Sequence, residues 1–207
     1  MYKDLDRLNK PTVFGIGYLG VGNFHCCDRH GHLDEAYVKW YAMIRRCYSS
    51  VLHKNQPTYA ECEVCEEWLN YQNFAQWYYN HKLEEGIKWE LDKDLLQNNN
   101  KLYSPETCTL IPKDINILLT FRKNDRGEYP LGVSKKMDKK TGAVWYVGRV
   151  SNKDKRMQGK YRDTPEEAYE DYKKLKREVI AQRIDEFKNV LNDEVIQALT
   201  NLNLDER

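Results

Sequence analysis

Apolar residues return at helical spacing in two places in the first half of the chain. Leu33, Tyr37, Trp40, Ile44 and Cys47 form one stripe, with Arg45 and Arg46 beside it. Trp68, Tyr71, Phe74, Ala75 and Tyr78 form a second within residues 66 to 80, predicting another helix. An aromatic stripe of this kind is core by default, and a base-stacking platform is the rarer use. Between them lies a polar loop containing Pro57. A short strand is then expected over Lys88 to Leu91, a polar turn at Asn98, Asn99 and Asn100, and a second short strand over Lys101 to Tyr103. Ser104-Pro105-Glu106 reads as a helix start, with Ser as N-cap and Pro at the first helical position.

The pattern changes after a charged stretch, Phe121 to Tyr129, that reads as a linker. Leu131-Gly-Val-Ser-Lys135, Ala143 to Ser151 and Gly159-Lys-Tyr-Arg162 are strand-like, and in the middle run two sets of residues alternate. Thr164-Pro165-Glu166-Glu167 carries an N-cap, a first-turn Pro and a capping-box Glu, so a long helix should follow. A last apolar face, Val195, Ile196, Leu199 and Leu202, predicts a short helix that docks on the body or on another copy. The fold class expected is α+β: residues 1–120 as a first domain, 121–129 as a linker, 130–190 as a sheet-and-helix module, and 191–207 as a helical tail.

Composition adds three points. Net charge is only +1 over 207 residues, so the total announces no polyanionic partner. Its distribution does: from Arg126 to Arg162, eleven basic residues face three acidic ones, leaving +8. A basic sheet with Trp145 inside it points to nucleic acid, against the blander reading of a solvated lysine-rich surface. Second, the sequence holds no run of 18 apolar residues, and its charged start lacks a signal-peptide core; the expectation is an intracellular protein with no membrane partner. Third, six cysteines in such a compartment argue for thiols or metal rather than disulfides.

Four segments carry candidate chemistry. Gly15, Gly17, Gly20 and Gly22 lack the Lys-Ser/Thr of a phosphate loop and read as a turn-rich entry segment. His25-Cys-Cys-Asp-Arg-His-Gly-His32 is rich in ligand types, although adjacent residues rarely all reach one ion. Cys62-Glu-Val-Cys65 has knuckle spacing, and Cys47 and Cys108 are the partners that would complete a zinc site; buried reduced cysteines are the equal alternative. Asp92 and Asp94, two apart, would share a strand face and approach one divalent cation, with Glu106 and Thr107 adding to a magnesium shell.

These phrases together resemble a known family. Tyr37-x-x-Trp40-x-x-Met43-x-x-Arg46-Cys47-Tyr48, Pro57-Thr58-Tyr59, Cys62-x-Val64-Cys65-x-Glu67-Trp68, Leu91-Asp-Lys-Asp-Leu95 and Asn100-Lys-x-Tyr-Ser-Pro-x-Thr-Cys108 are similar to the HNH-type homing endonucleases of bacteriophages. Gly132-Val133-Ser134, the Trp145 strand and Thr164-x-Glu166-Glu167-Ala168-Tyr169 resemble the ethylene-response-factor (Apetala) type DNA-binding domain that such enzymes append. The resemblance implies a ββα-metal nuclease module in a helical frame, a recognition module for double-stranded DNA, and residence in an infected bacterial cell. It further implies a hydrolase acting on phosphodiester bonds, by nicking or double-strand cleavage, with Mg2+ or another divalent cation as cofactor and zinc as a structural candidate. Asp92, Lys93 and Asp94 are then the catalytic candidates, and Lys135, Lys136, Trp145, Arg149, Arg156 and Arg162 the DNA contacts. The protein would act as a monomer or homodimer.

The chain departs from the family at Lys93, where a catalytic histidine is usual, because a lysine is a poor general base at neutral pH. Thr107 stands where Asn or His is common. The alternative is therefore a catalytically inactive, sequence-specific DNA-binding regulator that keeps the nuclease fold.

Overall fold

The computed structural model describes residues 6–120, 128–153 and 155–205; most of the expected linker lies outside them. It is a mixed α+β chain of helices and small sheets in two compact units, which divide between Pro112 and Lys113. The first domain expected from the sequence runs to residue 120, whereas the helix Lys113–Leu119 clusters with the second unit.

In the first unit, α1 (Glu35–Tyr48) starts at Asp34, whose carboxylate accepts from the Tyr37 N–H at 3.1 Å. Its buried side is Ala36, Trp40, Met43, Ile44 and Cys47, whereas Leu33 lies before the helix and is 60% exposed. A short α2 (Ser50–Asn55) and one 3-10 turn (Pro57–Tyr59) lead to β1 (Glu63–Val64). The single helix expected over residues 66 to 80 is two, α3 (Glu66–Leu69) and α4 (Tyr71–His81). Asn70 breaks it: its backbone is extended, and its side chain caps α4 by accepting from the Gln72 N–H at 3.0 Å. The entry segment exploits the break, since Tyr18 bonds Leu69 and Tyr71 through its backbone. The aromatic stripe is core. Trp68 and Tyr71 are fully buried, Trp68 packs on Phe74 and Trp77, and the Trp40 indole donates to the Trp68 carbonyl at 2.7 Å.

The acidic strand is β2 (Trp89–Asp92), and β3 is Leu102–Tyr103. These two do not pair with each other. β3 lies parallel to β1, while β2 pairs antiparallel with β4 (Thr109–Pro112), a stretch expected to be helix. Ser104 to Thr107 makes only one turn, in which Cys108 N–H reaches the Ser104 carbonyl at 3.0 Å. The β-branched Thr109 and Ile111, with Pro112, suit an extended strand better than a second helical turn.

In the second unit α5 (Lys113–Leu119) precedes a three-stranded antiparallel sheet of β5 (Val133–Met137), β6 (Val144–Asn152) and β7 (Lys155–Gln158), in that spatial order. The third strand comes earlier than the expected 159–162, because Lys153 turns the chain at φ 53° and the hairpin closes at once. Residue 162 still meets Tyr146 as an isolated bridge. The helix α6 (Pro165–Phe187) starts as the sequence indicates, with Thr164 Oγ1 accepting from the Glu167 N–H. It lies on one face of the sheet, so closely that a Cβ on Gly148 would stand 2.3 Å from the Ala168 carbonyl oxygen. The last helix α7 (Asp193–Thr200) packs on α6, and the Tyr169 hydroxyl donates to the Leu204 carbonyl at 3.0 Å. Among the described residues no helix is long and apolar enough to cross a membrane.

Candidate nucleic-acid interface and acidic loop

Cross-strand partners in a sheet point to the same side, and neighbours along a strand to opposite sides. Gly148 faces α6, and so do its alternates Tyr146, Val150 and Asn152; Asn152 confirms this by donating to Gln182 at 2.9 Å. Trp145, Val147, Arg149 and Ser151 therefore point away from the helix. The pairings Lys136↔Trp145, Ser134↔Val147, Arg149↔Gln158 and Ser151↔Arg156 bring their partners to that outer face. Val147, at its centre, is fully buried, while Lys136 and Arg156 are exposed. Arg149 donates through Nε to Gln158 Oε1 at 3.2 Å, which orients its guanidinium on the sheet.

Four of the six expected contacts, Lys136, Trp145, Arg149 and Arg156, thus share one face. The other two do not. Lys135 is opposite Tyr146 and belongs to the helix-facing side of β5. Arg162 gives two hydrogen bonds to the Asp171 carboxylate on α6, Nε at 2.8 Å and a terminal nitrogen at 2.9 Å. That bidentate pair holds the Asp171 carboxyl below its usual range and makes Arg162 a tie between sheet edge and helix. The sequence shows both as members of a basic run. Only the strand register, and a carboxylate nine residues on, separates them from the rest.

The acidic loop is organised from within. Asp92 ends β2 and its Oδ1 accepts from the Asp94 and Leu95 N–H groups at 2.9 and 2.7 Å, an Asx turn. Asp94 therefore lies past the strand, in a bend, and does not share a strand face with Asp92. The residue that alternates with Asp92 is Glu90, which takes the Lys39 ammonium at 2.7 Å. Lys93 points inward, 7% exposed, with its ammonium on Asp94 Oδ1 at 2.6 Å, on the Asn100 carbonyl, and 5.8 Å from the centre of the Tyr103 ring. Asn100 is equally buried, accepts from Leu102 N–H and donates to the Lys93 carbonyl at 3.1 Å. Lysine and asparagine between them close the loop from 93 to 100. That role for Lys93 is architectural, and nothing in the hydrophobic pattern indicates it.

Two of the residues named for magnesium have hydrogen-bond partners within their own turn. The Thr107 hydroxyl gives its proton to the Leu102 carbonyl at 2.7 Å and accepts from Ser104 N–H at 3.2 Å. Glu106 is exposed on the same turn, and a hydrogen bond from the Ser104 hydroxyl holds its carboxyl below the usual range. Of the four cysteines named for zinc, Cys47, Cys62 and Cys108 are buried and Cys65 is half-buried. Burial pushes Cys47 and Cys108 up to about 12 and raises Cys62 and Cys65 as well. Cys47 feels the charges of Cys62 and Cys108, whereas Cys65 neighbours Glu67 and Glu106. Among the described residues no three His, Cys, Asp or Glu side chains are arranged to hold one metal ion.

Nothing among protein-family models, curated proteins or solved structures matches this chain.

Proposed function

We propose that this protein binds double-stranded DNA through the outer face of the β5–β6–β7 sheet and is a DNA endonuclease of the homing type. The observation that carries the reading is the gathering of Lys136, Trp145, Arg149 and Arg156 on the sheet face turned away from α6, where Lys136 and Arg156 are exposed around a buried Val147. A two- or three-stranded ribbon fits the major groove, where arginine reads guanine edges and lysine neutralises phosphate. Arg149, oriented by Gln158, suits base contact, while Lys136 and Arg156 suit the backbone. Lys135 and Arg162 are left out of this interface.

The hydrolytic half of the proposal rests on the motif resemblance and on Asp92 and Asp94, of which Asp94 keeps 44% of its side chain exposed. Phosphodiester cleavage by such enzymes draws on a divalent cation, which Asp92 with Glu106 or Thr107 would hold, and no catalytic step is assigned to the ion. The same loop favours a second reading, a DNA-binding regulator without catalysis. Its lysine is locked into the fold and its threonine hydroxyl is spent on the turn.

Supercoiled plasmid carrying a bound site, incubated with Mg2+, separates the two. Nicking or linearisation by the protein and none by Asp92→Ala is expected; intact plasmid beside measurable binding establishes the regulator. Binding itself should weaken steeply with salt. Replacing both Arg149 and Arg156 with Ala should lower the salt slope by about 1 for each phosphate that is no longer neutralised. Unchanged affinity in that double variant would remove the outer face from the proposal.

A further inference from the structure

The loop His25 to His32 remains outside both roles. Cys26 and Cys27 are adjacent in sequence, both half-buried, and their sulfurs stand 3.9 Å apart. The loop that holds them is firmly built. Asp34 N–H bonds the Cys26 carbonyl at 3.0 Å, Cys27 bridges to Leu33, and the Tyr71 hydroxyl donates to the His25 carbonyl at 3.2 Å. Asp28 closes the turn beyond by accepting from His30 and His32 N–H at 2.7 and 2.9 Å.

Cys27 also lines a cleft of about 610 Å³ in the first unit. Four carboxylates border it, Asp28, Asp34, Glu35 and Glu85, against one ammonium, Lys82. Lys82 is already shared between Glu35 at 2.9 Å and Glu85 at 2.7 Å. The cleft is therefore a region of negative potential that concentrates cations beside Cys27, whose sulfur is in contact with that of Cys26.

We propose that Cys26 and Cys27 form a two-thiolate site for a soft monovalent cation of the Cu(I) class. Thiolates select soft ions, and Cu(I) is satisfied by two of them where tetrahedral zinc asks for four ligands. With metal–sulfur bonds of about 2.3 Å, the sulfurs of a bridged pair sit about 3.8 Å apart at a tetrahedral angle and about 4.6 Å apart when collinear, so the observed spacing needs only small side-chain rotations. Binding releases two thiol protons to solvent and transfers no electron. Burial, and then the hydrogen bond and charge of Cys27, hold the Cys26 thiol above its ordinary value. A bridging cation cancels the thiolate–thiolate repulsion behind the latter part.

The test is an anaerobic titration of the full chain with Cu(I) buffered by a chromophoric chelator, followed by alkylation and mass-spectrometric mapping of all six cysteines. One equivalent should be withdrawn from the chelator, with Cys26 and Cys27 protected together. The double variant Cys26→Ser/Cys27→Ser should lose that equivalent while keeping its circular dichroism. Each single variant should bind at least tenfold more weakly. Protection falling instead on Cys47, Cys62, Cys65 or Cys108, a double variant that keeps its copper, or a protein that cannot compete with the chelator overturns the proposal. Should the double variant fail to fold, the protection pattern of the unaltered protein decides alone.

Discussion

The two units solve the packing problem in opposite ways. The first is filled by volume: Trp40, Trp68, Tyr71, Phe74 and Tyr78 are essentially without exposure and meet ring to ring. The second is joined by a lack of volume. Gly148 lets α6 approach the sheet backbone, and Gly132, at φ 76°, lies where any Cβ would strike the Tyr172 ring. Cations are used in two ways within the molecule. Lys93 in the first unit, like Lys176 and Arg183 in the second, is buried, whereas Lys136 and Arg156 in the second are exposed on the outer face. A basic residue's position in the chain therefore says little about its use; its side of the sheet, or its depth, says most.

The contrast can be tested by changing size in each direction. Trp68→Ala should cost about 3–5 kcal/mol of the first unit's stability, because the ring leaves a cavity between Phe74 and Trp77 that rigid neighbours cannot fill. Urea unfolding followed by circular dichroism measures it, and a loss under about 1 kcal/mol would mean that this core is loosely packed. Gly148→Val should destabilise the second unit by about 1–3 kcal/mol, since the new carbon meets backbone rather than a mobile side chain. If thermal unfolding shows the valine variant as stable as the parent, α6 does not lie where described.

The cations give a third test. Lys93→Met should cost about 1–3 kcal/mol by leaving the Asn100 carbonyl without its donor, and should leave DNA affinity unchanged. A variant that folds normally but loses DNA affinity or cleavage would move Lys93 from architecture to function. The smallest effect is expected at the partly buried Arg162–Asp171 pair. Asp171 has its carboxyl lowered by Arg162, so its contribution is fully present above the ordinary aspartate value of 3.8 and fades as pH falls through its own depressed value. Melting temperatures of the wild type and Asp171→Asn should accordingly differ at neutral pH and converge in acid. Parallel curves throughout would show that the pair adds nothing.

Much of the secondary structure is readable along the chain. The Trp68–Tyr78 stripe, the Thr164 cap of α6 and the alternation in β6 all arise from local periodicity or capping chemistry, and each appears in the structure. Failures come where a local signal competes with a distant partner. Ser104-Pro105-Glu106 starts a turn, but Thr109–Pro112 is drawn into pairing with β2 and the helix stops after that turn. Asn70 looks like one more polar residue in a helical run until the backbone of Tyr18 pairs across it.

The candidate site divides along the same line. The run of basic residues, the two aspartates and the vicinal cysteines are facts of composition and spacing, open to anyone reading the chain. Which of them face outward is not. Lys135 and Lys136 are chemically alike and adjacent, and the strand register alone sends them to opposite sides of the sheet. Arg162 and Lys93 carry full charges that the fold consumes internally, one on Asp171 and the other on Asp94 and Asn100. Periodicity and capping are local and survive in the sequence. Register and charge pairing join residues far apart or across strands, so they exist only once the chain has folded.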